Sequence, residues 1–361
     1  MSKRILFLSL AVMLSLASCS KPQTPQQPGS QSNTSNNEKP ASTQAKSNPA
    51  AEIAGGSPAT SQTKVLMHNV ILDERPGLQL RVRWLRGEIH PTRKGVVSSF
   101  DDPGSFVLDI QSGIIATSLS DISRILNSSL LQGSPLEKVS LAADGERLKL
   151  KGTLHKGVSL PIEMVSEVSA APDGRVRLHM VTLRVLKLPV KGLVRLFHIS
   201  VQDLIGAKGA TNVQVSGNDI FVDPEQMLPA PAIRGELTDA HIGSKTGDLV
   251  TIFGDGRPEA NHFKQWRNFI RLYGGTINMG KLTMAQADIF MIDLSNDDWF
   301  SFDLMHYQEQ LVNGRIQMTP QAGLRIFMPD IEKIPHTAQN QGIIAEWMKN
   351  RKLPPPETLV Q

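Results

Sequence analysis

The feature that most constrains the fold is a run of alternating apolar and polar residues between 136 and 188. Turn sequences at 144–145, 157 and 172–174 divide this run into segments. A period of two places apolar side chains on one face of a strand, and short polar turns join antiparallel neighbours. The run therefore predicts an antiparallel meander with one apolar and one basic face. The phase slips near Val181-Thr182, which predicts a β-bulge.

Two helices are predicted beside the meander. The first begins at Ser118, where Ser118-Leu-Ser-Asp121 has the pattern of a capping box, and its apolar face is Leu119, Ile122, Ile125, Leu126 and Leu130. The second begins at Pro189 and ends at Gly206, and its apolar face is Val190, Leu193, Val194, Phe197, Val201, Leu204 and Ile205. Further alternation at 78–84 and 106–110 adds strands. The predicted fold is α+β and dominated by strands.

The N-terminus has the layout of a secretory signal peptide. Lys3 and Arg4 precede an apolar stretch at 5–17, which is too short to span a bilayer. The sequence Leu16-Ala-Ser-Cys19 resembles a bacterial lipobox, which implies cleavage before Cys19 and attachment of lipid, such as palmitate, to its thiol. An ordinary signal peptide with a chance cysteine is the alternative.

The lipobox sets the expected location. We expect a cell-envelope protein anchored to a membrane by lipid at Cys19. Residue 20 is serine, and in a Gram-negative cell the absence of aspartate there favours the outer membrane, facing the periplasm. Cys19 is also the single cysteine, so the chain has no intrachain disulfide and no cysteine-based zinc site.

Composition divides the chain into segments. We predict a signal peptide at 1–18, a lipidated cysteine and disordered tether at 19–63, an α+β domain at 64–256, a strand-rich block at 257–335 and a tail at 336–361. The block at 257–335 forms either further strands of the first domain or a small second domain. The tail carries a basic amphipathic segment around Trp347, which is either a docking helix or a membrane-surface contact.

Charge and motifs argue against several functions. The net charge of +4 is nearly balanced, whereas a nucleic-acid binder carries a clustered basic patch. Residues 275–281 begin like a phosphate-binding loop, but Leu282 follows where Ser or Thr is needed, so a hairpin turn is predicted. No Gly-x-Ser-x-Gly elbow or closely spaced metal-ligating histidines occur. We therefore predict no enzyme, no cofactor and no metal.

The acidic segment 293–303 leaves two alternatives open. Its carboxylates have the chemistry of a calcium site or of a glycosidase pair, although Ser-Asn-Asp-Asp is also ordinary turn chemistry. A hydrolase whose site is assembled from distant residues, including Asp297 or Asp298, is the third functional hypothesis.

Residues 105–255 resemble a known family. A short helix leads into a long meander and then into a second apolar-faced helix, followed by Gly217-Asn218, Asp223-Pro224 and the stretch 227–235. This arrangement resembles the LmeA-like phospholipid-binding proteins and, more loosely, the tubular lipid-binding (TULIP) superfamily. The resemblance implies a curved sheet wrapped around a helix, an apolar groove that holds lipid chains, and no catalytic residues.

The first functional hypothesis is therefore an envelope lipoprotein that binds a phospholipid, a fatty acid or another hydrophobic ligand without chemistry. Its predicted cavity is lined by Leu126, Leu130, Met164, Met180, Leu193 and Phe197. The same residues equally suit a filled core. The alternative function is a structural or assembly protein, which binds an envelope protein through sheet edges or through the block at 257–335.

Overall fold

The computed structural model describes residues 62–75, 77–131, 133–186, 200–205, 213–226, 230–258, 265–335 and 337–350. All of them belong to one compact unit, Gly56–Gln361. The predictions for the signal peptide, Cys19 and the tether lie outside the described residues. So do Leu193, Phe197 and the larger part of the second predicted helix, and the side chain of Leu130 is not described either.

Strands dominate the described residues. The first nine are β1 Thr63–Arg75, β2 Leu78–Pro91, β3 Ser98–Ser99, β4 Phe106–Thr117, β5 Leu136–Asp144, β6 Arg147–Lys156, β7 Val158–Ala170, β8 Val176–Val185 and β9 Val213–Ser216. The next nine are β10 Asp219–Val222, β11 Ala232–Gly235, β12 Leu237–Ile242, β13 Leu249–Phe253, β14 Phe269–Met279, β15 Leu282–Asp293, β16 Phe300–Asp303, β17 Arg315–Met318 and β18 Leu324–Met328. The predicted strand-dominated α+β class is confirmed.

Helices are short in the described part. They are α1 Leu119–Ile125, α2 Val201–Ile205, α3 Tyr307–Val312 and α4 Ala338–Lys349, and a π-helical turn at Leu126–Leu130 continues α1. The predicted cap of α1 is confirmed, because the Ser118 hydroxyl accepts the N–H of Asp121 at 3.1 Å. No helix of the described residues is long and apolar enough to cross a membrane.

The strands form two sheets. The smaller has the order β5-β6-β7-β8-β10-β9, and the larger has the order β12-β13-β4-β2-β1-β14-β15-β18-β17, with β11, β16 and β3 beside β4, β1 and β14. The antiparallel meander is confirmed as β5 to β8. The bulge is confirmed too: Val165 pairs with Thr182 and Ser166 pairs with Met180, which leaves Val181 as the extra residue.

The block at 257–335 continues the larger sheet. Its strand β14 pairs with β1 from Lys64↔Tyr273 to His68↔Phe269, and β16 runs parallel to β1. Of the stretch 275–281, which was predicted to be a hairpin turn, residues 275–279 belong to strand β14, and the turn at 280–281 joins β14 to β15. At the tail, Ile344 of α4 is buried against Ile334, which is the geometry of a docking helix.

The predicted basic face of the meander is largely neutralised. Its cations are paired with acids on adjacent strands or in the turn before β8, as Arg147–Glu167, Lys149–Asp144, Lys151–Glu163, Arg175–Asp173 and Arg177–Asp219. The sequence pattern missed this because the acidic partners lie at unrelated positions along the chain. Exposed pairs of this kind add little stability, but they remove the net positive charge expected there.

Candidate ligand-binding cavity

A cavity of about 870 Å³ lies between the two sheets and the α1 helix. The larger sheet contributes Leu78, Leu80, Ile115, Ile242, Leu249 and Phe253, and the smaller sheet contributes Val139, Leu148, Leu150, Met164, Leu178 and Val222. The α1 helix and its π turn supply Leu119, Ile122, Ile125 and Leu126. The cavity is therefore walled mainly by aliphatic side chains from three separate parts of the chain.

Local sequence explains why these side chains point inward. Leu78 and Leu80 of β2, like Leu148 and Leu150 of β6, are two residues apart and share one face of their strand. On α1, Leu119 and Ile122 are three residues apart and lie on one side of the helix. The regular alternation of each element is thus sufficient to turn an aliphatic surface towards the space between the sheets.

Two hydroxyl groups of the described lining are bonded within the fold. Thr251 donates its hydroxyl to the carbonyl of Ile115 at 3.2 Å. The hydroxyl of Ser134 accepts the N–H of Leu136 at 3.2 Å and lies 3.4 Å from the carbonyl of Leu204, to which it donates. Because these groups are already bonded, the walls offer a ligand apolar contact rather than hydrogen bonds.

Glu225 is the one ionisable side chain among the described residues that line the cavity. Partial desolvation is the main cause that raises the pKa of this exposed carboxyl above its usual range, and the negative charge of Asp223 adds to it, while Arg234 acts in the opposite direction. The glutamate follows β10 in a short 3-10 turn, Pro224–Gln226. Charge at the cavity is thus confined to one position.

The structure places the six predicted cavity residues in different positions. Leu126 and Met164 line the cavity. Met180 does not line it but packs, half-buried, against the cluster around Leu154 and Ile162. Leu193 and Phe197 lie outside the described residues, as does the side chain of Leu130.

Sequence reasoning missed one whole wall. Residues of β2, β4, β12 and β13 face the cavity, although only the alternation of β2 and part of β4 was recognised. That alternation shows that one face of each strand is buried, but it does not say which partner covers that face. The missing information is the pairing of distant strands.

The other candidate sites look structural. Asp297 and Asp298 pair with Lys333 and Arg267, as expected of residues in a turn. The described residues contain no group of three or more His, Cys, Asp and Glu side chains placed to hold a metal ion.

A hydrogen-bonded Ser-His-Glu series was not foreseen. The hydroxyl of Ser159 lies 3.1 Å from Nδ1 of His155, and Nε2 of that ring lies 3.2 Å from Oε2 of Glu137. The register that pairs His155 with Ser159 brings them together. All three side chains are exposed, and none of them is among the residues that line the cavity.

Comparison with known proteins gives no relative. Neither the protein-family models, nor the curated proteins, nor the solved structures contain a match. The geometry of the chain itself therefore carries the functional argument.

Proposed function

We propose that this protein binds a lipid or another hydrophobic ligand in the cavity between its two sheets, and that it does so without chemistry. The observation that supports this function is the aliphatic space of about 870 Å³. Small-molecule sites usually measure about 300–1,000 Å³ and are lined mainly by apolar side chains. A folded core, by contrast, is close-packed and leaves few voids larger than a water molecule.

Desolvation supplies the binding free energy in this proposal. Each methylene group moved from water into an apolar site gains about 0.8 kcal/mol, so ten of them gain about 8 kcal/mol before the costs of association. The described walls hold one methionine, Met164, among branched aliphatic side chains. Such walls select for apolar length and shape rather than for a particular polar group.

The lipobox-like sequence adds a location to this proposal. Lipid on Cys19 would hold the protein at a membrane of the cell envelope, and the outer membrane facing the periplasm is the proposed site in a Gram-negative cell. Lipidation of a single cysteine needs more than one acyl chain for stable anchoring. Intact-mass measurement of the purified protein tests this directly, since acyl chains add a fixed mass that Cys19→Ala removes.

Native mass spectrometry of the protein purified from its membrane tests the cavity. We expect a non-covalent lipid at near-stoichiometric occupancy, which organic extraction identifies. The variant Leu150→Trp places a larger side chain in the cavity, so we expect it to lose the bound lipid. A chain that carries no lipid and takes up neither added phospholipid nor added fatty acid would refute the proposal.

A matched control separates filling of the cavity from general disturbance. Val158 lies on the same smaller sheet but is 51% exposed, and it does not line the cavity. Val158→Trp therefore adds the same indole without entering the space. Lipid occupancy that falls equally in both variants would show that the indole acts through the fold rather than through the cavity.

A further inference from the structure

The strand β17 ends the larger sheet with an exposed edge. All four of its residues are exposed, and Ile316 and Met318 are 53% and 74% exposed although both are large and apolar. Among the described residues β17 pairs with β18 alone. An exposed strand edge is a template for pairing with another strand.

The register shows which backbone groups face outward. The N–H of Thr319 donates to the carbonyl of Gly323 at 2.8 Å, just beyond the pair Met318↔Leu324. Hydrogen-bonded pairs alternate along an antiparallel ladder, so Arg315 and Gln317 direct their backbone groups towards β18. The N–H and C=O groups of Ile316 and Met318 therefore point away from the sheet.

The two faces of this edge differ in chemistry. Arg315 lies opposite Phe327 and Gln317 lies opposite Arg325, so both guanidinium groups share one face. The guanidinium carbon Cζ of Arg315 lies 4.4 Å from the ring centroid of Phe327, and that of Arg325 lies 5.1 Å from the ring centroid of Trp266.

No carboxylate pairs with either arginine in the described part of the chain. The nearby acids Asp288 and Asp298 are paired with Arg271 and Arg267 instead. On the opposite face the exposed side chains of Ile316 and Met318 lie beside the buried Ile326 and Leu324. One side of the edge is therefore cationic and the other is apolar.

We propose that β17 is the docking edge for an extended acidic segment of a protein partner, which adds to the larger sheet as a further strand. Strand addition gives hydrogen-bond partners to the outward N–H and C=O groups of Ile316 and Met318. Because side chains alternate along a strand, the partner segment carries acidic residues that face Arg315 and Arg325 and apolar residues that face Ile316 and Met318. This surface lies outside the cavity and does not depend on a lipid.

Charge and backbone geometry favour this occupant over two others. A second copy of β17 would bring its own Arg315, together with Arg325, to the same face, and like charges oppose that pairing. An anionic bilayer matches the two arginines but leaves the outward backbone groups without strand partners. An acidic, alternating strand satisfies both features together.

A peptide titration against the full-length protein tests the proposal. The probe is a fluorescent ten-residue peptide of alternating Glu and Val, and the control peptide has Lys in place of Glu. We expect saturable binding of the Glu peptide, which weakens as salt is raised, and at least about tenfold weaker binding of the Lys peptide. Equal binding of the two peptides, or no binding of the Glu peptide, would overturn the proposal.

Two variants identify the edge as the binding element. Met318→Pro removes an outward N–H, whereas β18 keeps its hydrogen bonds, and proline is tolerated on edge strands. We expect it to lower peptide affinity at least about tenfold. Gln317→Ala, whose backbone points inward, is the matched control and should bind like the parent. Unchanged thermal unfolding of both variants shows that they are folded.

The competing occupants give distinct results. A concentration-dependent dimer that Met318→Pro abolishes would overturn the proposal in favour of self-association. Binding to phosphatidylglycerol vesicles without binding to the Glu peptide would overturn it in favour of a membrane surface. Lipid occupancy of the cavity is measured on the same samples, so failure of the edge and failure of the cavity are seen separately.

Discussion

The two ends of the main hydrophobic core are packed with different kinds of side chain. Around Phe300 and Phe302 the core is filled by aromatic rings. The ring centroids of Phe300 and Phe302 are 5.9 Å apart, and those of Phe100 and Tyr307 are 5.8 Å apart. Around Leu78 and Leu80 the same cluster is aliphatic and borders the cavity. The part of the core that is rich in aromatic residues is thus filled, whereas the aliphatic part around Leu78 and Leu80 borders an open space.

This difference indicates that the local choice of side chains determines where the cavity lies. Aromatic side chains bury about 150–250 Å² each, and the aromatic end concentrates them beside α3. The described cavity lining has a single aromatic residue, Phe253. We infer that the volume depends on the size of a few wall residues rather than on a poor fit between the two sheets.

Truncation should show the largest contrast between the two ends. Phe300 is fully buried among other rings, so Phe300→Ala should lower the free energy of unfolding by about 3–5 kcal/mol. Leu178 lines the cavity, and Leu178→Ala should cost less than about 2 kcal/mol because that side chain already faces empty space. Urea unfolding measures both values. Equal losses would show that the aliphatic end is as tightly packed as the aromatic end.

Enlargement of a side chain should also destabilise the filled region more than the cavity. Ile326 is fully buried in the filled region, so Ile326→Phe should cost about 1–3 kcal/mol through overpacking. Leu178→Phe enters the cavity and should change stability by less than about 1 kcal/mol. The same unfolding assay applies, with lipid removed first so that ligand stabilisation does not enter. A large loss for Leu178→Phe would count against an open space.

Removal of a hydroxyl should lower stability less than these changes in side-chain size do. The loss should be larger at the aromatic end of the core than at the cavity. The buried hydroxyl of Tyr307 donates to Asp101 at 2.7 Å and accepts the N–H of Gly280 at 2.6 Å. Tyr307→Phe leaves that N–H without its acceptor and should cost about 1–2 kcal/mol. Thr251→Val at the cavity loses one bond to the carbonyl of Ile115 and should cost about 1 kcal/mol or less. Thermal unfolding of the two variants compares them, and the reverse order would contradict this view.

The smallest predicted effect is on the pH dependence of folding stability, which should have the same sign at the aromatic end and at the cavity. Desolvation raises the pKa of Asp73 and of Glu225 above their ordinary values of 3.8 and 4.5. A raised pKa means that the folded state binds the proton more tightly, so stability falls as pH rises from the unfolded value through the folded one.

Neutral variants test this sign. Asp73→Asn and Glu225→Gln should each gain stability relative to the parent as the pH rises from about 4 to 7, as measured by urea unfolding at each pH. A relative gain on acidification instead would mean that the carboxylates are stabilised by partners in the fold.

Local patterns predicted local structure well. The cap at Ser118, the turn at 172–174 and the bulge at Val181 each depend on a few neighbouring residues, and all three are present. Pairing between distant strands was not predictable in this way. The period of two marks residues of β2 and β4 as strands, but nothing in it says that these strands are neighbours.

The same limit applies to the candidate site. Met164 and Leu126 were found because they belong to strong periodic patterns. The wall from β12 and β13 was not found, because it faces the cavity only through the position of these strands beside β4. The cationic edge at β17 was missed because its arginines are ten residues apart in sequence and meet only through the hairpin register.

The central position of β1 affects the order in which the molecule is assembled. β1 and β2 follow each other directly and can pair as soon as both have been synthesised, whereas β14 is made about 200 residues later. Throughout that interval one side of a long apolar strand has no neighbour, and nascent chains in this state are prone to join one another. Pairing of β14 with Lys64–His68 and then of β16 with Val70–Asp73 covers that side, so both strands are needed to end this aggregation-prone stage of biogenesis.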